Sequence, residues 1–191
     1  MARIGIVGAQ GTGKTTLIQA LSQDETFKGF YFPMSPTRYL YKTFGFDFNS
    51  ANAEIQLATL YMQLMNTLSS ENVIFDRTVI DNFSYLEYYA KRGHGLYDIT
   101  DSAMNFIELQ TLFLAQKIDM FFILEPEFPI EDDGVRNVNV EQQREINDLI
   151  MNNFGRFKVG LDKLLIVSGS IEQRVEAIKG RYNWWVTVTK G

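Results

Sequence analysis

The run Gly8-Ala9-Gln10-Gly11-Thr12-Gly13-Lys14-Thr15, followed by Thr16, gathers glycine, hydroxyl and one lysine in the spacing Gly-x-x-x-x-Gly-Lys-Thr. Those residue types at that spacing suit one task, the holding of nucleotide phosphates. Gly8, Gly11 and Gly13 let the backbone bend until successive N–H groups face an anion, and a helix starting at Lys14 adds its positive end. Lys14 brings a mobile charge to the β- and γ-phosphate oxygens, and the Thr15 hydroxyl is a ligand for Mg2+. Gly8, Gln10, Gly11, Thr12, Gly13, Lys14, Thr15 and Thr16 are the expected nucleotide contacts.

Asp76 closes the apolar run Val73-Ile74-Phe75 and is followed by Arg77 and Thr78. A carboxylate at a strand tip beside such a loop faces the metal and the terminal phosphate. There it holds Mg2+ or its water, or accepts a proton from an attacking hydroxyl. The plainer alternative is an aspartate that caps the next helix. Arg77 can clamp a substrate phosphate or hydroxyl, and Asp81 either contacts the same ligand or occupies the first turn of its helix. Two more groups carry charge. In Glu125 to Arg136 an arginine lies beyond the turn Asp133-Gly134, where Arg136 can swing over the triphosphate and Arg144 can reach the same phosphates. Alternatively the loop is solvated and Arg136 pairs with Asp132 or Asp133. In Ser35-Pro36-Thr37-Arg38, Arg38 can hold a substrate phosphate. Tyr39, Phe44, Phe46, Tyr85 and Tyr88 can stack a base or, as aromatic stripes more often do, fill the core. His94 lies between two glycines and reads as a turn residue.

These groups need strands to aim them and helices to cover the strands. Apolar runs predict strands at Ile4–Val7, Phe30–Phe32, Val73–Phe75, Met120–Leu124 and Leu164–Val167. Helical periodicity predicts helices from Lys14 to about Ser22, Ala51 to about Leu68 (capped by Asn49 or Ser50), Val79 to Arg92 and Asp101 to Ala115, the last capped by Asp101. Two more are expected from Val140 to Phe154 and Ile171 to Lys179. Residues 38–48 read as irregular with one short helix, and the alternation in Tyr182–Thr189 predicts an added edge strand whose tryptophans pack on the core. Strands separated by helices imply an open, mostly parallel sheet covered on both faces, with the ligand crevice at the strands' carboxyl ends.

The chain has 191 residues, 46% of them hydrophobic, enough for one domain with a substantial core. It has no cysteine, which excludes disulfides, thiolate metal sites and a thiol nucleophile, and its single histidine excludes a histidine metal cluster. A formal charge of −5 argues against a protein whose main work is gripping long nucleic acid. The strand that follows Met1 directly leaves no leader, and no apolar run reaches membrane-spanning length, so a soluble cytoplasmic protein is expected.

Taken together, the phosphate loop, Asp76-Arg77-Thr78, the Asp133-Gly134-x-Arg136 loop with Arg144 behind it, and Val167-Ser168-Gly169 with Glu172-x-Arg174 resemble the NadR-like branch of P-loop kinases. That branch of the AAA-type NTPases is related to nicotinamide riboside kinase and, more distantly, to thymidylate and deoxynucleoside kinases. The resemblance runs from Ile4 to about Ile178. It implies an α/β P-loop three-layer sandwich with a five-stranded sheet in the order 2-3-1-4-5, one domain over residues 1–191, and a lid over about 125–145. It further implies ATP with Mg2+, Lys14, Thr15 and Asp76 in the site, Arg136 and Arg144 as lid arginines, and Ser168-Gly169 near the adenine. In such kinases the segment around Arg38 faces the acceptor. Relatives often carry glutamate three residues before that arginine; here it is Ser35, which leaves Asp76 the leading candidate base. The chain is also similar in style to kinases of bacteriophage genomes. The expected acceptor is a small nucleoside or nucleoside monophosphate, bound by Arg38, Arg77, Asp81 and Tyr85, in a monomer or homodimer. A kinase acting on a nucleotide within DNA and a regulatory ATPase switch are the alternatives.

Overall fold

A computed structural model describes residues 1–45, 53–69, 71–93, 100–127 and 139–190. Four parallel strands form its sheet: β1 (Arg3–Val7), β2 (Val73–Asp76), β3 (Met120–Ile123) and β4 (Leu164–Ile166), in the order β2-β1-β3-β4. The apolar runs that predict β1, β2 and β3 are buried on both faces, as a parallel sheet between helical layers requires; Ile4, Ile6, Val7, Phe121 and Phe122 have no exposed surface, whereas the edge strand β4 is only partly covered and Ile166 is half exposed. The expected strand at Phe30–Phe32 is reduced to one parallel bridge from Tyr31 to Val73, at the edge beyond β2. Pro33 follows at once and ends the pairing. With that bridge counted, the order is the expected 2-3-1-4-5.

The register fixes the site. Ile6 of β1 lies opposite Asp76 of β2, so the carboxylate sits at the same height as the last turn of β1 before the loop. The helices are α1 (Lys14–Gln23), α2 (Pro36–Phe44), α3 (Ala53–Ser69), α4 (Val79–Ala90), α5 (Asp101–Ala115), α6 (Val140–Arg156) and α7 (Ile171–Lys190). One core cluster joins a face of the sheet to α3, α4, α5 and α6 through Phe83, Leu86, Phe121, Ile146, Ile150 and Phe154. The other joins the opposite face to α1 and α7 through Leu17, Leu21, Phe122 and Ile178. No helix among the described residues is long and apolar enough to cross a membrane.

Two expectations change. Tyr182–Thr189 does not form an edge strand; it continues α7 to Lys190. Ile171, Val175, Ile178, Tyr182 and Trp185 recur at helical spacing and pack on the core beside α1. The Tyr182 ring stands 5.5 Å from both Phe27 and Phe30. Trp185 joins this packing, whereas Trp184 is half exposed. The cap of α5 is Thr100, whose hydroxyl accepts from the Ala103 N–H, and Asp101 is the first helical residue. The expected cap at Asn49 or Ser50, Phe46, His94 and the loop holding Asp132, Asp133, Gly134 and Arg136 lie outside the described residues.

Candidate functional site

The loop between β1 and α1 is built as its glycines demand. Gly8, Gly11 and Gly13 have φ of 152°, 75° and 84°, all in territory that side chains avoid. At Gly8 a Cβ would lie 2.4 Å from the Leu124 carbonyl oxygen. Gly13 is the left-handed N-cap of α1 and has no side chain to cap the helix, and the first turn carries no acid. The free N–H groups of that turn therefore keep their positive end toward the loop. Thr12 Oγ1 donates to the Ala9 carbonyl, 3.1 Å away. The Lys14 ammonium, almost fully buried, donates to the same carbonyl and to Thr12 Oγ1.

Three of the expected residues converge at the mouth of this loop. Thr15 Oγ1 lies 3.5 Å from Asp76 Oδ2 and accepts a 2.7 Å hydrogen bond from the Arg38 guanidinium. β2 delivers Asp76, the first turn of α1 delivers Thr15 and α2 delivers Arg38. All three are only partly buried, so the carboxylate and guanidinium are open to a ligand. Thr16 is exposed on α1 one position further.

Asp81, Arg77 and Tyr85 serve the loop itself. Asp81 has no exposed surface. Its Oδ1 accepts from the Gly8 N–H at 2.9 Å, and its Oδ2 accepts from the Thr78 N–H and hydroxyl at 2.9 and 3.0 Å. With Thr78 it forms the capping box of α4. Both oxygens are thus committed to the protein, and the expectation that Asp81 binds substrate gives way to a structural role. Burial pushes the Asp81 pKa above the ordinary carboxylate value, against the opposing pull of Arg77, Lys14 and the bonded N–H groups. Arg77 adopts a positive φ of 78°, held by its N–H on the Ile6 carbonyl and its own carbonyl on Gln63 of α3. Its guanidinium donates to the Gly8 carbonyl at 3.2 Å, stands 3.8 Å from Asp81 and lies over the Tyr85 ring at 4.8 Å. Burial opposes its charge, but Tyr85, Asp81 and Asp76 outweigh that and hold its pKa above the usual arginine value. Tyr85 OH donates to Gln10 Oε1 at 2.6 Å.

Two residues complete the support. Gln143 of α6, buried, donates to the Gln10 carbonyl at 2.6 Å. Its neighbour Arg144, the one the spacing singles out, is exposed and makes no hydrogen bond or ion pair among the described residues. Arg174 of α7, 2% exposed, donates to the Thr12 carbonyl at 2.9 Å and to the Gly169 carbonyl at 3.0 Å, and pairs with Glu127 at 3.3 Å. The Gly169 N–H in turn donates to Glu127, so the turn after β4 and the segment after β3 are tied together. Gln143 carries no sequence signal beyond its place on the inward stripe with Ile146 and Ile150. Arg174 is visible in Glu172-x-Arg174, but nothing in the pattern says that it faces the loop from behind.

Thr15 and Asp76 supply two hard oxygen donors side by side, and no cluster of three metal-ligating side chains occurs among the described residues. Such a set fits Mg2+ held by few protein oxygens and completed by substrate phosphates. A glycine cradle at a helix N-terminus, a buried lysine and a strand-tip carboxylate define a P-loop nucleotide-binding domain. The sequence profile of the family described as an AAA domain matches residues 3–174, and the chain belongs to that family. No curated protein matches its sequence. Among solved structures it is similar to the NadR protein in complex with NR, with 18% identity, 96% of this chain and 51% of that chain covered, and a TM-score of 0.71. The complex of NadR with NAD and AMP-PNP gives 16% identity, 97% and 50% covered, and a TM-score of 0.68. The deoxyadenosine kinase from M. mycoides with products dCMP and dCDP gives 16% identity, 95% and 98% covered, and a TM-score of 0.66. The chain thus spans about half the length of the NadR chains and nearly all of the M. mycoides enzyme. These likenesses show the fold, a parallel α/β P-loop architecture.

Proposed function

We propose that this protein transfers the terminal phosphoryl group of ATP, with Mg2+, to a hydroxyl or phosphate of a small nucleoside or nucleoside monophosphate. The observation that carries the reading is the meeting of Thr15, Asp76 and Arg38 at the open mouth of the phosphate loop. A kinase needs a carboxylate and a cation near the terminal phosphate for an incoming acceptor, and the pairing of Asp76 with Arg38 beside Thr15 supports that reading. The fold shared with NadR and with the M. mycoides deoxyadenosine kinase supports the same reading.

In this scheme the loop amides and Lys14 hold the β- and γ-phosphates. Thr15 and Asp76 would ligate Mg2+, which when bound neutralises charge on the phosphate oxygens. Asp76 orients the attacking hydroxyl and takes its proton as the new oxygen–phosphorus bond forms and the bond to the β-phosphate oxygen breaks, releasing ADP. Arg38 holds the acceptor side. On the lid reading implied by the resemblance, Arg136 and Arg144 would reach the transferring group, Arg144 from the exposed side of α6; arginines in such positions contribute 10³–10⁵ in rate, roughly 4–7 kcal/mol. The test is a panel of nucleosides and monophosphates incubated with γ-labelled ATP. Labelled nucleotide is expected, and Lys14→Ala or Asp76→Ala should lower its formation by roughly 10³-fold or more with the circular dichroism spectrum unchanged. Full activity in either variant, or free phosphate as sole product across the panel, overturns the assignment.

A further inference from the structure

Among the described residues Arg174 is the largest side chain to be buried almost completely, at the back of the phosphate loop. Its neighbours on the inward stripe of α7, Ile171, Val175 and Ile178, are apolar. A guanidinium in such surroundings is costly unless each direction it points is answered. Nε donates to the Gly169 carbonyl, Nη1 donates to the Thr12 carbonyl, and Nη2 stands 3.3 Å from Glu127 Oε1. Glu127 uses its other oxygen, Oε2, to accept from the Gly169 N–H at 3.0 Å. These contacts join three segments, namely the loop after β1, the segment after β3 and the turn between β4 and α7. We propose that Glu127 is a positioning residue for nucleotide phosphates that acts through Arg174. Its carboxylate keeps the guanidinium on the Thr12 carbonyl and so fixes the phosphate loop from behind.

Two features set this contact apart from an ordinary ion pair. An exposed pair contributes little to a fold, but here one partner is buried. Removing the other leaves a charge in apolar surroundings, and the guanidinium then turns toward water and gives up the carbonyl. The second feature is the peptide unit that the carbonyl belongs to. It joins Thr12 to Gly13, the left-handed residue that starts α1. The two ends of a trans peptide point opposite ways, so a Thr12 carbonyl held backward sets the Gly13 N–H forward, toward an anion. Arg174 Nη1 lies 3.4 Å from where a Gly13 Cβ would stand, directly behind that peptide. Gly169, at φ 85°, offers its N–H to Glu127 and its carbonyl to Arg174 at once, which holds the pair in register.

The role rests on phosphate binding as proposed above and not on transfer, so binding is what is measured. The test is calorimetric titration of the whole chain with ADP and Mg2+, and separately with inorganic tripolyphosphate, well below each variant's melting temperature. Arg174→Met should weaken ADP about tenfold. Glu127→Gln keeps an oxygen for the Gly169 N–H and removes the charge; it should weaken ADP and tripolyphosphate alike, by about fivefold. The double variant Glu127→Gln with Arg174→Met removes both charges together and leaves none buried alone. It should bind within about twofold of Arg174→Met, because Glu127 works through the guanidinium. A tie that served stability alone would lower the melting temperature of Glu127→Gln and leave its Kd for ADP at the wild-type value, and that result overturns the proposal. Effects that multiply to about fiftyfold in the double variant overturn it as well. Turnover does not enter the readout, so a chain that fails the labelled-ATP panel can still pass this test.

Discussion

Replacing Asp81 by alanine tests whether the second aspartate of the site works on the ligand or on the protein. The structure allows the cost to be built contact by contact. Removing the carboxylate leaves the Gly8 and Thr78 N–H groups buried without an acceptor, at about 1–3 kcal/mol each. The Thr78 contact is also half of the α4 capping box, and the substitution deprives the largely buried Arg77 of its ion partner. Because Arg77 keeps the Gly8 carbonyl and Tyr85, its loss is partial at about 1 kcal/mol, and the sum is roughly 3–7 kcal/mol. For a chain of this size that lowers the melting temperature by about 6–28 °C. The Asn variant keeps one acceptor oxygen but sets an NH2 against a donor, so it should fall between wild type and alanine. Thermal melting and urea unfolding read the loss directly, and the acceptor KM, measured well below the new melting temperature, should stay within about twofold of wild type. An Asp81→Ala protein that melts within about 2 °C of wild type but has lost its acceptor affinity would refute this reasoning and return Asp81 to the substrate.

Arg174→Met should weaken nucleotide binding from behind, because the Thr12 carbonyl and the Gly169 turn lose their donor. We expect the KM for ATP to rise about tenfold or more, the equivalent of one buried hydrogen bond of ~1.4 kcal/mol, with the acceptor KM unchanged; steady-state kinetics in each substrate separates the two. Glu87 of α4 predicts an acid limb of stability. Burial raises its pKa, but Lys91, Asn153 and Arg156 outweigh burial and hold it below the ordinary 4.5. A depressed carboxylate stabilises fully above its unfolded pKa and loses that contribution as pH falls through the folded one. The melting difference between wild type and Glu87→Gln should therefore be constant from about pH 7 to 5 and shrink below pH 4.5, and a difference that grows on acidification would contradict the assignment.

How much of this was legible in the sequence depends on whether the deciding interaction is local. The phosphate loop was legible because its backbone conformation is set by its own glycines. The strands themselves were legible because buried parallel strands read as unbroken apolar runs, whereas their order came only from the resemblance to P-loop kinases. Tyr182–Thr189 misled because its β-branched and aromatic residues favour a strand when taken alone. Phe27 and Phe30, more than a hundred residues earlier, offer a face that only a helical stripe of Ile178, Tyr182 and Trp185 can cover, and tertiary packing overrides the local preference. Among the charged residues, types and spacing singled out Asp76 for the site but left Asp81 open between the ligand and the first turn of its helix. Only four residues lie between them, yet one ends a strand at the open mouth of the loop and the other turns inward at the start of α4. Gln143 and Arg144 show the same limit: a helix turns about 100° per residue, so the uncharged neighbour faces the loop.

The loop's ability to bind an anion follows from these inward-facing residues. A trans peptide unit points its carbonyl one way and the following N–H the other. Three alternate carbonyls of the loop are held from outside: Gly8 by Arg77, Gln10 by Gln143 and Thr12 by Arg174. Each comes from a different part of the chain, respectively the end of β2, α6 and α7. With those carbonyls turned outward, the N–H groups of Ala9, Gly11 and Gly13 are turned the other way, and the uncapped start of α1 adds its own. Glycine permits this alternation, but it permits many other conformations at no greater cost. The external donors select among them. The cradle is therefore a property of three side chains far apart in the sequence as much as of the motif itself, and a chain with the motif intact but those donors lost would keep the pattern while losing much of its hold on phosphate.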